Sequence, residues 1–125
     1  MLNILLVGIG GALGSVCRYL VNLFALRHVG PGLPWGTFAV NVIGSLAIGL
    51  VAELIVRKFG ASLQVRLLLV TGFLGGFTTF SAFSYEVSLM VERGEFLHAA
   101  LYILSSVTIS VAAVFVGLAL ARQFV

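Results

Sequence analysis

Aspartate is absent from this 125-residue chain, and other charge is scarce: four Glu and seven Lys or Arg make up 9% of the residues. A soluble domain draws about a quarter of its residues from the charged set to cover its surface. Water is therefore excluded as the main solvent, and hydrophobic residues fill 61% of the sequence instead. Cys17 is the only cysteine, which excludes an internal disulfide and any CxxC site. Two distant histidines and no Asp leave no metal-ligand cluster, and no nucleophile triad can be assembled. A GxxxxGK[ST] loop and a dinucleotide fingerprint are also missing. These absences argue against an enzyme. The seven basic residues are dispersed, so the basic pI near 9.6 does not indicate nucleic acid as a partner. The first charge met is Arg18, so the chain lacks the basic start of a secretory signal. The expectation is that the amino terminus is retained as a membrane helix.

Long apolar runs are what the chain has in abundance. About 20 apolar residues cross roughly 30 Å of hydrocarbon, and four segments qualify: 2–26, 35–52, 67–85 and 96–121. Backbone polar groups in lipid must be paired within the chain, so each segment is predicted to be a helix. The breaks are a Gly/Pro-rich turn from Arg27 to Pro34, a polar connection from Arg57 to Arg66, and a charged turn, Glu92-Arg93-Gly94-Glu95. The predicted fold is all-α, an integral membrane protein with a single four-helix domain over residues 1–125. Both termini then share one side with Arg57, Lys58, Arg66 and Arg122, against Arg27 and Arg93 opposite. Four against two is a weak orientation signal. It is compatible with a cytoplasmic amino terminus and with dual topology, in which copies insert both ways and pair head to tail.

Several polar residues fall where hydrocarbon disfavours them. Arg18 lies well inside the first segment, where a charge costs about 2.5–3.5 kcal/mol on insertion scales. It either snorkels to an interface or lines an aqueous vestibule. Gly10 and Gly14 before it have the GxxxG spacing of close helix packing. Asn41 in the second segment either bonds a neighbouring helix or donates to a permeating anion. The third segment reads Gly72-Phe73-Leu74-Gly75-Gly76-Phe77-Thr78-Thr79-Phe80-Ser81-Ala82-Phe83-Ser84. Paired glycines followed by threonines make a poor continuous helix, and a break there would free carbonyls able to bind a cation. The alternative is an unbroken helix whose glycines serve packing. Phe80 and Phe83, three apart, are predicted to share a face. An aromatic ring has a positive edge, so among Thr78, Thr79, Ser81 and Ser84 this pair either packs or presents ring edges to an anion. Tyr102, Ser106 and Ser110 recur every fourth residue along one stripe of the fourth segment. That stripe is either a hydroxyl track or a set of serines bonded back to their own helix. Glu86 follows the third segment and faces headgroups or a pore mouth. His98, Trp35 and Cys17 read as structural.

Taken together, these strings resemble the Fluc (CrcB) family of fluoride channels over nearly the whole chain. Gly10-Gly11-x-x-Gly14 with Arg18, Gly36-Thr37-Phe38-x-x-Asn41-x-x-Gly44, the third-segment string, and Tyr102, Ser106 and Ser110 each fit. Ala82 stands where Thr is common. The resemblance implies an antiparallel homodimer with two narrow fluoride pores, inserted in both orientations in the bacterial inner membrane, and a broken third helix. Asn41, Phe80 and Phe83 would line the ion path, Arg18 would sit in a vestibule, and Thr37, Glu86, Tyr102, Ser106 and Ser110 would form or flank a polar track. It also implies a structural sodium ion held by the backbone carbonyls of Gly75 and Thr78 from both subunits. The implied partners are fluoride, a second copy and the lipid bilayer. A small proton-coupled multidrug exporter is the alternative of similar architecture, but the first segment holds no acid to carry a proton.

Overall fold

The computed structural model describes residues 1–124. Four helical spans are long and apolar enough to cross a bilayer: Leu2–His28, Trp35–Lys58, Leu63–Glu92 and Phe96–Phe124. Most overrun the apolar segments seen in the sequence. Hydropathy marks where the apolar run stops, whereas a helix stops where its hydrogen bonds do, and charged last turns stay helical at the headgroup layer. The second helix shows this, running from Trp35 past Ala52 to Lys58. Across its last turns Arg57 Nε donates to Glu53 Oε1 at 2.7 Å. Arg122 Nε of the fourth helix reaches the same oxygen at 3.2 Å, so one carboxylate ties two helix ends together. Glu86, which the hydropathy boundary leaves just outside the third span, lies within it because that span continues to Glu92.

The molecule is apolar on the outside. Along the first helix Leu5, Ile9, Leu13, Val16, Leu20 and Phe24 are all exposed, a stripe at helical spacing that fits a lipid-facing surface. Inside, helices meet through small residues, because lipid removes the hydrophobic drive for association and leaves close packing to supply it. Gly10 and Gly14 are buried against the third span. A Cβ on Gly14 would overlap the Phe73 carbonyl and come within 2.9 Å of Phe77 N. Gly49 and Gly117 make the matching contact between the second and fourth helices, each built so that a Cβ would strike the facing backbone.

The third span is one bent unit assembled from several helical pieces. Its first turn, Leu63–Arg66, is capped by Ser62 Oγ, which accepts the Val65 N–H at 3.3 Å. Leu67–Leu74 is wound as a π-helix, and Gly75–Phe77 is a last α-turn. Thr78 is extended (φ −83°, ψ 160°), and regular helix resumes over Ser81–Glu92. The helical winding lapses at the threonines, while Gly75 and Gly76 remain helical. Glycine weakens a helix without ending it; a threonine hydroxyl bonded back to the carbonyl four residues earlier bends one.

The glycine contacts are directly testable. Gly14→Val should destabilise the protein by roughly 1–3 kcal/mol, the usual range for overpacking, because backbone atoms block the new side chain. Gly8→Val, at a position with nothing within 4 Å of a Cβ, should leave unfolding in detergent almost unchanged. Equal effects on the unfolding midpoint would show that the first helix does not dock through Gly14.

Candidate functional site

The site grows out of the lapse in the third span. Thr78 donates both its N–H and its Oγ1–H to the Leu74 carbonyl, each at 2.9 Å. With the chain extended there, the next peptide has no helical partner and is held from the second helix. Thr79 N–H donates to Asn41 Oδ1 at 2.8 Å, and Asn41 Nδ2 donates to the Thr79 carbonyl at 2.9 Å. One side-chain amide thus satisfies both backbone groups of Thr79, which in lipid have no water to fall back on. Thr79 Oγ1 accepts the Ala82 N–H at 3.1 Å and caps the resumed helix. Among the described residues no hydrogen bond is formed to the carbonyls of Gly75 or Thr78. The Gly76 carbonyl is equally without a hydrogen bond among the described residues.

A groove of about 390 Å³ runs beside this peptide, lined by Asn41, Gly44, Ser45, Gly75, Thr78, Thr79, Phe80, Phe83, Ser106 and Ser110 among others. Phe80 and Phe83 line it differently. Phe80 is exposed (76%) and Phe83 is buried (7%), because Phe80 precedes the first turn of Ser81–Glu92. Their ring centroids are nonetheless 5.6 Å apart. Ser106 is 5% exposed, and the Oγ atoms of Ser106 and Ser110 are buried with no hydrogen-bond partner among the described residues. The serines therefore do not bond back to their own helix. An unmade buried hydrogen bond costs about 1–3 kcal/mol, so both hydroxyls are costly as they stand.

Tyr102, Thr37 and Glu86 form a second cluster, adjoining the first through the Phe83 and Tyr102 rings at 5.0 Å. Thr37 Oγ1 donates to Glu86 Oε2 at 2.9 Å, and Tyr102 OH donates to Glu86 Oε1 at 3.1 Å. Three helical spans supply the three residues. Beyond them a cleft of about 360 Å³ opens between the Gly30–Pro34 turn and the third span, with Asn22, Thr37, Glu86 and Arg93 on its walls. Ser110 and Ser106 thus lie on the groove, and Glu86 lies on this second cleft.

Arg18 is placed apart. It lines a separate cleft of about 510 Å³ with Ser15, Tyr19, Asn22, Thr79, Ser81 and Ala82. Thr79 borders both this cleft and the groove, so its pinned peptide is the partition between them. Sequence reasoning missed Thr79 as the partner of Asn41, and Gly44 and Asn22 as wall residues. For the first pair a signal existed: a lone Asn and a helix-weak Thr-Thr both lay at mid-span, and each needed a partner.

Comparisons with known proteins agree on one family. Residues 5–118 match the family described as CrcB-like protein, Camphor Resistance (CrcB). The chain is 58% identical over 125 residues, the full length of both chains, to the fluoride-specific ion channel FluC of Rhizobium etli. It is 57% identical over 123 residues, 98% of each chain, to the fluoride-specific ion channel FluC of Agrobacterium fabrum. To the protein of the same name from Phenylobacterium zucineum it is 53% identical over 124 residues, again 98% of each.

The Glu86 cluster predicts a coupled response. Thr37→Val and Tyr102→Phe should each destabilise the protein by roughly 1.5–3 kcal/mol, the range for a hydrogen bond to a charged group. In a Glu86→Gln background the two losses should shrink, measured by reversible unfolding as a double-mutant cycle. Additive losses would mean that the carboxylate does not join the three spans.

Proposed function

The chain belongs to the CrcB-like family, and from that premise we propose that it is a passive fluoride-selective channel that lets fluoride leave the cytoplasm. The observation that carries the reading is the pair of unpartnered buried hydroxyls, Ser106 and Ser110, on a groove shared with Asn41, Phe80 and Phe83. A small dehydrated anion must replace lost water contacts with donors, and these residues supply them. One Asn41 N–H is used by Thr79, which leaves the second for the ion. The positive edges of Phe80 and Phe83 add weaker attraction. Ser106 and Ser110 lead on to Tyr102, whose hydroxyl is engaged with Glu86 together with Thr37. Arg18, across the Thr79 partition, supplies a fixed positive potential in a vestibule.

The working unit in this reading is an antiparallel homodimer in the bacterial inner membrane, a multi-pass protein whose copies insert in both orientations. An exposed Phe80 on an open groove fits a wall completed by a second copy. Sodium would be held by the free Gly75 and Thr78 carbonyls of both subunits. The ion would supply charge that holds the two bends together; binding a hard cation at exposed carbonyls stabilises the assembled state by ligand linkage.

Two measurements test this. Liposomes carrying the purified dimer should release fluoride to a fluoride electrode and retain chloride and a cationic dye. Phe80→Ile and Phe83→Ile keep an apolar side chain without the ring quadrupole, and flux per folded dimer should fall by roughly tenfold or more in each. Unchanged flux in both folded variants would remove the rings from the pathway. Reporter fusions at the carboxyl terminus should score on both membrane faces, since basic residues divide only four to two; a uniform signal would exclude antiparallel assembly from one gene product.

A further inference from the structure

The second helix meets the lapse in the third span through a single turn. Asn41 and Gly44 are three residues apart and so lie on one face. Asn41 pins the Thr79 peptide at both its N–H and its carbonyl. Gly44 is buried, and a Cβ there would overlap the Thr78 Cγ2 methyl, while Thr78 Cβ would lie at 3.7 Å and Phe77 Cδ2 at 3.4 Å. The methyl therefore occupies the volume that any side chain at position 44 would need. Phe80 follows directly, 76% exposed. Within its own chain the ring lies 5.6 Å from that of Phe83, centroid to centroid, and it is aimed by the backbone that precedes it, which Thr78 and Thr79 set.

We propose that the Asn41–Gly44 turn positions the Phe80 ring over the groove, with Gly44 acting through the Thr78 methyl group. Gly44 is then a positioning residue, and it touches no permeating ion. The geometric part stands on the contacts alone; its consequence for conduction rests on the fluoride-channel reading.

Gly44→Ala should push Thr78 aside and turn Phe80 away from the groove. Thr78→Ser removes Cγ2 and retains the hydroxyl that donates to the Leu74 carbonyl, so the double variant Gly44→Ala/Thr78→Ser regains the space. Para-fluorophenylalanine incorporated at position 80 reports the ring by fluorine NMR in fluoride-free buffer. Its resonance should shift or broaden in Gly44→Ala and return, in the double variant, to its place in Thr78→Ser. Fluoride efflux from liposomes should fall by roughly tenfold in Gly44→Ala, a scale typical of small misplacements, and recover in the double variant to the Thr78→Ser level. A resonance that follows this pattern while the unmodified protein releases no fluoride would keep the positioning role and overturn the channel reading. An unmoved resonance in Gly44→Ala, or one that stays displaced in the double variant, would overturn the positioning role while leaving wild-type conduction untouched. Normal efflux beside a displaced ring would overturn it as well. If Gly44→Ala yields no folded protein, a folded double variant with the Thr78→Ser resonance supports the proposal, and an unfolded one overturns it.

Discussion

Two hydrogen bonds between the Asn41 amide and the Thr79 peptide hold the centre of this molecule in place. The constraint behind them is the solvent. Hydrocarbon offers no partner to a free N–H or C=O, so non-helical backbone survives at mid-membrane only where protein or trapped water satisfies it. The chain leaves the helix at Thr78, whose backbone is extended while its N–H and hydroxyl both remain on the Leu74 carbonyl. The N–H and carbonyl of Thr79 would be stranded without a side chain that both donates and accepts, and an amide does both. Everything else at the site follows from that exchange. Free carbonyls at Gly75 and Thr78 precede it, an outward Phe80 follows it, and the resumed helix carries Phe83 and Glu86 to the fourth helix.

The close helix contacts serve the same end. Glycines at 10 and 14 bring the first helix onto the backbone of the third span, and the Gly49–Gly117 contact joins the second helix to the fourth. Dispersion falls away steeply with separation, so helices that associate in lipid must approach to backbone distance. The second helix is clamped to the fourth at the Gly49 level and meets the bent third span at Asn41 and Gly44. The groove with Ser106 and Ser110 is the space left between these two contacts.

The distribution of charge completes the picture. A chain with so few ionised residues keeps most of them at helix ends, where Glu53 collects Arg57 and Arg122, and Glu95 collects Arg93 at 2.8 Å. Exposed pairs of this kind contribute little stability, yet they spare the apolar span any unpaired charge. Glu86 and Arg18 are the exceptions. Glu86 is surrounded by donors, and Arg18 is set in a cleft with polar neighbours. Both lie along clefts that Asn22 borders.

Much of this was legible in the amino-acid order, and the reason is physical. Apolar runs of bilayer length are long-range and redundant, so the count of spans and the turns between them tolerate error at any one residue. Glycines in helical spacing announce close packing, and an Asn, an Arg and a Thr-Thr pair in hydrocarbon announce that something must satisfy them. What the sequence could not assign was the partner. The Asn41 amide could bond a neighbouring helix or donate to a passing ion, and only the placement of the second helix against the third span brought it to Thr79. The π-wound stretch, the exposure that separates Phe80 from Phe83, and the two donors that converge on Glu86 were likewise decided by tertiary structure. Hydrogen-bond geometry depends on atoms brought together from distant parts of the chain, whereas hydrophobic length depends on neighbours alone. The sequence by itself determined a four-span helical membrane protein and the chemical kinds of group at its centre; the fold decided which of those groups satisfy each other and which are left facing the groove.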